Sequence, residues 1–204
     1  MNEQELEVKF LVSDLAGLAR RLEALGAALV QPRVFESNLR FDDSKGSLTR
    51  GGQALRLRQD TRSILTYKGT GRVEGDVNVR QEIEFSVSDY GAARRFLEAL
   101  GYQVTVLYEK YRTSYDLDEV HVVLDELPYG KFAEIEGPSS EAIQAAAARL
   151  GLVWALHSND TYLGLFTRLR STLRLNLRDL SFANFSGLTI TPEELGIRLA
   201  DTAE

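Results

Sequence analysis

The sequence predicts an α+β fold in which antiparallel strands close into a barrel with helices packed outside, built from two related halves. Three observations carry this reading. Segment after segment alternates charged and apolar residues with period 2, the connections between these segments are short and turn-rich, and a strand–cap–helix unit occurs twice.

The first unit opens with Glu5-Leu6-Glu7-Val8-Lys9-Phe10-Leu11-Val12, which puts Leu6, Val8 and Phe10 on one strand face and Glu5, Glu7 and Lys9 on the other. Ser13-Asp14 supplies capping chemistry for a helix whose Leu15, Leu18, Leu22 and Leu25 recur at three- and four-residue steps, and Gly26 stops it. The unit returns at 80–101. There Arg80-Gln81-Glu82-Ile83-Glu84-Phe85-Ser86-Val87 alternates, Ser88-Asp89 caps, and Arg94-Arg95-Phe96-Leu97-Glu98-Ala99-Leu100-Gly101 echoes Arg20-Arg21-Leu22-Glu23-Ala24-Leu25-Gly26.

Strand patterns follow each helix, at 34–41, 54–59 and 63–68 in the first half and at 103–107, 109–115, 120–124 and 131–135 in the second. Turn residues at 42–46, 50–52, 69–71 and 128–130 separate them, and such short links imply antiparallel pairing. Closure removes the exposed edges of so many strands. A third helix is expected at 140–150, a fourth at 162–173, and Thr191-Pro192 signals a short terminal one.

Composition bounds the chemistry. The 204 residues hold 24 Lys and Arg, 30 Asp and Glu, two His and no Cys. Thiolate chemistry and Cys-ligated zinc are excluded, and His121 and His157 stand in no ligand spacing, so a metal would be held by oxygen, as Mg²⁺, Mn²⁺ or Ca²⁺ are. A net charge of −6 argues against nucleic acid or an anionic membrane as partner. No run approaches the ~18 apolar residues of a membrane span, and the N-terminus lacks a signal-peptide pattern, so a cytoplasmic protein is expected.

The informative feature is ionic residues repeated at i and i+2 on strand after strand: Glu5/Glu7/Lys9, Arg56/Arg58, Thr66/Lys68, Arg80/Glu82/Glu84, Lys110/Arg112 and Glu134/Glu136. Leu55, Leu57, Leu65, Ile83, Phe85, Tyr111 and Ile135 take the opposite faces. A single such strand is best read as a solvated face. Six of them, leaning on Arg and followed by helices with apolar stripes of their own, place the apolar faces outward beneath helices and the charged faces around an interior. An interior of both signs is costly unless a ligand and a metal complete it. Cations suit a polyanion and carboxylates suit hard divalent ions, and a triphosphate with Mg²⁺ or Mn²⁺ satisfies both.

This ordered series resembles the CYTH family of triphosphate tunnel metalloenzymes, which includes class IV adenylyl cyclases and thiamine or inorganic triphosphatases. The resemblance runs through Glu5-x-Glu7-x-Lys9, Ala54-Leu55-Arg56-Leu57-Arg58, Leu65-Thr66-Tyr67-Lys68-Gly69, Arg80-x-Glu82-x-Glu84, Lys110-x-Arg112, Val123-Leu124-Asp125 and Gly130-Lys131-Phe132-Ala133-Glu134-Ile135-Glu136. It implies an eight-stranded antiparallel tunnel over residues 1–166; residues 167–204 lie outside the shared motifs and are expected to form a helical or irregular extension that caps a tunnel mouth, supports an oligomer such as a homodimer, or braces the barrel. It further implies that Lys9, Arg56, Arg58, Lys68, Arg80, Lys110 and Arg112 contact phosphate. Glu5, Glu7, Glu134 and Glu136 are the implied metal ligands, with Asp125, Glu82 and Glu84 as further candidates. Asp125 enters through the resemblance alone.

The leading expectation is metal-dependent hydrolysis of a triphosphate, with one metal near Glu5 and Glu7, a second near Glu134 and Glu136, and Lys68 or Lys110 as candidate base. The same residues would serve a class IV adenylyl cyclase, in which the 3′-hydroxyl of ATP attacks the α-phosphorus. A non-catalytic polyphosphate- or nucleotide-binding module is the third reading. His121 is read as a packed or hydrogen-bonded strand residue, residues 158–160 as a helix cap ahead of placing Asp160 and Tyr162 at the tunnel mouth, and Trp154, Tyr67 and Tyr108 as core residues ahead of stacking on a base or thiamine ring.

Overall fold

The computed structural model describes residues 4–74 and 76–202, without the side chains of Gln4, Glu5, Glu74 and Asn78. Its strands are β1 (Gln4–Val12), β2 (Ala28–Asp42), β3 (Ala54–Gln59), β4 (Ser63–Lys68), β5 (Arg72–Glu74), β6 (Val77–Val87), β7 (Gln103–Leu117), β8 (Val120–Leu127) and β9 (Gly130–Glu136). Its helices are α1 (Leu15–Ala24), α2 (Ser47–Arg50), α3 (Tyr90–Ala99), α4 (Ser140–Arg149), α5 (Tyr162–Leu173) and α6 (Pro192–Leu195).

The strands form one antiparallel sheet in the order β1-β9-β8-β7-β2-β3-β4-β6-β5, and a further pairing of β1 with β6 carries the hydrogen bonding round a ring of eight strands. The three-residue β5 hangs on β6 outside that ring and was not expected from the sequence. The segments 103–107 and 109–115 are one continuous strand. β2 begins well before residue 34, because register shifts between Leu29 and Val34 accommodate Pro32, which cannot donate to the ladder.

Local chemistry sets the helices. The Asp14 carboxylate accepts from Gly17 N at 2.8 Å and Asp89 from Ala92 N at 2.8 Å, so the repeated Ser-Asp is an N-cap in both halves. Gly26 and Gly101 follow α1 and α3 with φ of 81° and 91°, a left-handed turn that a side chain would strain. Asp42, 1% exposed, accepts from the backbone N–H groups of Leu48 and Thr49 and from the Thr49 hydroxyl, which orders the turn around α2.

Outside the ring, α1 and α4 bury Leu18, Leu22, Ile143 and Ala147 against Val8, Phe10, Val122 and Ile135, outward residues of β1, β8 and β9. Each large side chain so covered is worth about 1.5–3 kcal/mol. The related second half is covered less well. α3 buries Leu97 but leaves Phe96 62% exposed, and Ile83 and Phe85 on β6 stand 42% and 53% exposed. The expectation that these two lie beneath a helix is therefore corrected: α3 packs over β2 and β3, with Leu39, Phe41 and Leu57, and the cluster takes in only Val87 at the end of β6, leaving Ile83 and Phe85 outside it.

One end of the ring is filled from within. Leu11, Tyr108, Leu127 and Phe132 share their strand faces with the charged residues and pack against Tyr162, Leu165, Phe166 and Leu169 of α5. The chain beyond α5 lies along strand edges, with Leu180 bridged to β7 and Ala200 N donating to Leu11 O at 2.9 Å.

Candidate active site

The inward strand faces enclose a cavity of about 520 Å³. Antiparallel pairing brings the ionic positions together from six strands: Glu7 and Lys9 on β1, Arg56 and Arg58 on β3, Lys68 on β4, Arg80, Glu82 and Glu84 on β6, Lys110 and Arg112 on β7, and Glu134 and Glu136 on β9. All of these line the cavity. The Glu5 side chain lies outside the described residues, although its backbone pairs with Arg80. Asp125 does not line the cavity; it is fully buried behind the β7 cations.

Asp125 organises one wall. Its Oδ1 accepts from Arg112 Nε at 2.7 Å, and its Oδ2 accepts from Arg112 Nη2, Lys110 Nζ and the Tyr162 hydroxyl at 2.5, 3.0 and 2.9 Å. Arg112 also donates to Glu134 at 2.6 Å, and Lys9 Nζ lies 2.7 Å from Glu7 and 3.4 Å from Glu134. Burial disfavours the charged forms here, but the opposite charges outweigh it. Arg112 is held well above its ordinary value by Asp125 and Glu134, and Glu134 well below its own by Lys9 and Arg112. Burial, then Asp125 and Glu134, push the Tyr162 hydroxyl upward, so it stays a neutral donor.

A second network joins β3, β4, β6 and β7. Arg56 Nη2 reaches Thr66 Oγ1 at 3.1 Å and Glu84 at 3.4 Å, its Nη1 reaches the Tyr108 hydroxyl at 3.3 Å, and Lys68 Nζ sits 2.9 Å from Glu82. Arg58 lies 3.3 Å from Asp60 and 3.6 Å from Glu84. Glu36 stands between the networks, 3.5 Å from Lys110, 3.8 Å from Arg58 and 3.9 Å from Arg112. Burial alone would push its carboxyl up, yet Lys110, Arg112 and the β3 arginines hold it down to about 2. Tyr108 is likewise pushed up by burial and brought below its ordinary value by Arg56 and Lys110.

Several of these residues escape the sequence reading. Glu36, Asn38 and Arg40 repeat the same i, i+2 pattern on β2, a signal available in the sequence. Tyr108 shows it as well, two residues before Lys110 on β7, whereas Tyr162 comes from α5 and has no strand alternation. His121, expected as a packed or hydrogen-bonded strand residue, has Nδ1 2.7 Å from Asp116 Oδ1 and also lines the cavity. His157 instead packs on Trp154 with ring centroids 4.7 Å apart, and the cap of α5 is Thr161, one residue beyond the expected stretch, while Asp160 pairs with Arg168.

The site's carboxylates are the oxygen donors that Mg²⁺ or Mn²⁺ prefers. Glu7 and Glu136 face each other directly across β1 and β9 and both line the cavity. Among the described residues no three carboxylate or imidazole groups converge as a complete metal cage, and Glu7 and Glu136 are the described pair that fits an ion.

The CYTH domain profile matches residues 3–151. The chain belongs to the CYTH domain family. A Methanocaldococcus jannaschii protein named "putative adenylate cyclase" is 25% identical over 139 residues, covering 67% of this CYTH chain and 78% of that protein. Among solved structures, a Vibrio parahaemolyticus protein described as a "putative adenylate cyclase" superposes with a TM-score of 0.73 at 22% identity, over 82% of this chain and 99% of that one. A Hippeastrum protein, described as a "putative adenylyl cyclase" with a dominant triphosphatase activity, gives a TM-score of 0.59 at 18% identity, over 80% and 95% of the two chains.

Proposed function

We propose that this CYTH chain binds a triphosphate inside the strand ring and, with Mg²⁺ or Mn²⁺, hydrolyses it. The observation that carries the reading is the convergence of Lys9, Arg56, Arg58, Lys68, Arg80, Lys110 and Arg112 on one cavity whose carboxylates share its walls. We take residues 1–166 as the tunnel unit and 167–204 as its extension.

In this reading the guanidinium groups of Arg56, Arg58 and Arg112 grip phosphoryl oxygens in pairs, and the lysines supply point charges between them. Asp125 and Tyr162 hold Arg112 and Lys110 in place before substrate arrives, so little reorganisation is left for the reaction. Water adds to the terminal phosphorus, the bridging P–O bond breaks, and the displaced diphosphate keeps the electron pair while the cations stabilise the charge on its oxygens. A divalent ion at Glu7, Glu136 and Glu5 would add charge neutralisation and acidify water. The proton of the attacking water goes to a base, and Lys68 and Lys110, whose Nζ atoms lie 2.9 and 3.0 Å from Glu82 and Asp125, are the candidates in their neutral amine form.

Cyclisation of ATP is the second reading, favoured by the names of the Methanocaldococcus and Vibrio relatives. The deciding experiment incubates the protein with Mg²⁺ or Mn²⁺ and, separately, tripolyphosphate, thiamine triphosphate and ATP. Orthophosphate release supports hydrolysis, cyclic AMP as the main product from ATP replaces it with cyclisation, and binding without turnover of any substrate leaves a binding module.

A further inference from the structure

β2 carries two polar groups whose needs the protein does not meet. Arg40 lines the cavity, and its one hydrogen bond is a long 3.4 Å contact from Nη2 to Gln53 O. Its Nε is shut off from solvent with no acceptor, and among the described residues no carboxylate lies within ion-pair distance of it. The nearest acid on β2, Asp42, is engaged with Leu48 and Thr49. Two residues before Arg40 on the same strand face, Asn38 is fully buried and bonds through neither Nδ2 nor Oδ1. Native interiors leave few polar groups in this state, because each forfeits its hydration without replacement.

These orphans are neighbours of one another and of further cations. In the strand register Arg40 lies opposite Arg56, and Asn38 lies between Arg58 on β3 and Tyr108 on β7. The Nε of Arg56 is also shielded and without an acceptor, whereas that of Arg58 faces Asp60 at 3.3 Å. Burial, with the nearby Arg56 and Arg80 charges, depresses the Arg40 pKa, although Tyr108 and Asp42 act the other way. Arg56 and Arg58 already face Glu84, but Arg40 presents a guanidinium to the cavity with no carboxylate against it, and that describes a place for an anion. Guanidinium and amide donors together suit a phosphoryl group.

We propose that Arg40, backed by the buried Asn38 two residues before it, forms an anion subsite on β2 that takes one phosphoryl group of the triphosphate. It rests on the triphosphate reading above and extends it. Most cations of the cavity are already neutralised by carboxylates, which an incoming phosphate must displace. At Arg40 nothing is displaced, so this subsite engages the ligand without metal.

The test is calorimetric titration of sodium tripolyphosphate into wild type, Arg40→Met, Arg40→Lys and Asn38→Leu, all in EDTA, with thermal melts of each ligand-free protein. Losing hydrogen bonds to a charged group predicts affinity about 10- to 100-fold weaker in Arg40→Met. Arg40→Lys, which keeps charge but not the fork, falls between it and wild type. Asn38→Leu weakens binding about 5- to 10-fold and melts no lower than wild type, because an apolar isostere replaces an unsatisfied amide. Wild-type affinity in folded Arg40→Met and Asn38→Leu overturns the subsite and leaves the triphosphate reading standing. If wild type binds no tripolyphosphate with or without Mg²⁺, both fall together. Should Arg40→Met fail to fold, Arg40→Lys and Asn38→Leu decide the question.

Discussion

Asp125 is the residue whose loss the fold should feel most. It is fully buried, and its two oxygens accept from Arg112 twice, from Lys110 and from Tyr162. Asp125→Ala removes the anion and leaves the cations behind it, with Lys110 only 2% exposed. Breaking one side of a buried charge pair costs about 3–5 kcal/mol, because the surviving charge has lost both water and partner. Glu36 and Glu134 remain near Lys110 and Arg112, which places the expectation at the lower end of that range. At roughly 2–4 °C per kcal/mol for a chain of this length, the melting midpoint should fall by about 10 °C. Asp125→Asn, which keeps an acceptor and loses the charge, should lose about half as much. Circular dichroism melts of the three ligand-free proteins at neutral pH measure this. A midpoint for Asp125→Ala within about 2 °C of wild type would refute the claim that Asp125 offsets the buried cations.

Three further outcomes can be measured. Glu36 has a folded pKa of about 2 against an ordinary 4.5, so its stabilisation is full above the higher value and is lost as pH falls through the lower one. Glu36→Gln should therefore be less stable than wild type at neutral pH by up to about 3 kcal/mol, with denaturation curves converging as pH nears 2; a gap that persists unchanged at low pH counts against this. Arg56→Lys should lower phosphate release from tripolyphosphate about 10- to 100-fold, because an ammonium cannot bridge two phosphoryl oxygens, and a rate equal to wild type would remove Arg56 from the site. Leu180→Ala, in the fully buried bridge between the tail and β7, should cost about 2–5 kcal/mol by urea titration, and a cost below about 0.5 kcal/mol would mean that the tail does not brace the ring.

What the sequence made legible was periodic. Alternation at Glu7/Lys9, Arg56/Arg58, Glu82/Glu84, Lys110/Arg112 and Glu134/Glu136 reports a strand face directly, and ring closure turns those faces into one cavity. β2 carries the same signal at Glu36, Asn38 and Arg40, inside the strand expected at 34–41; Pro32 and the bulges around it hide only where that strand begins. Tyr162 could not be found this way, because it enters from α5, and a helix docked into the end of a ring leaves no mark in strand periodicity. The bare outer face of β6 is another tertiary fact. Phe85 and Phe10 follow the same alternation, yet Phe10 is covered by helices and Phe85 is not, and only the placement of α3 over β2 and β3 separates them.

The balance of 24 cations and 30 anions has a local meaning in the cavity. Lys9 against Glu7, Lys68 against Glu82, Arg56 against Glu84 and Arg112 against Asp125 and Glu134 keep the ring stable while it is empty. A triphosphate that takes up those cations strands their carboxylates at close quarters with its own negative charge, which opposes binding. A divalent ion removes the conflict, because carboxylate and phosphate oxygens can share it. Metal dependence in this reading is thus a consequence of charge pairing as much as of water activation. The paired cations should need the ion for tight binding, whereas Arg40, which has no carboxylate to release, should not.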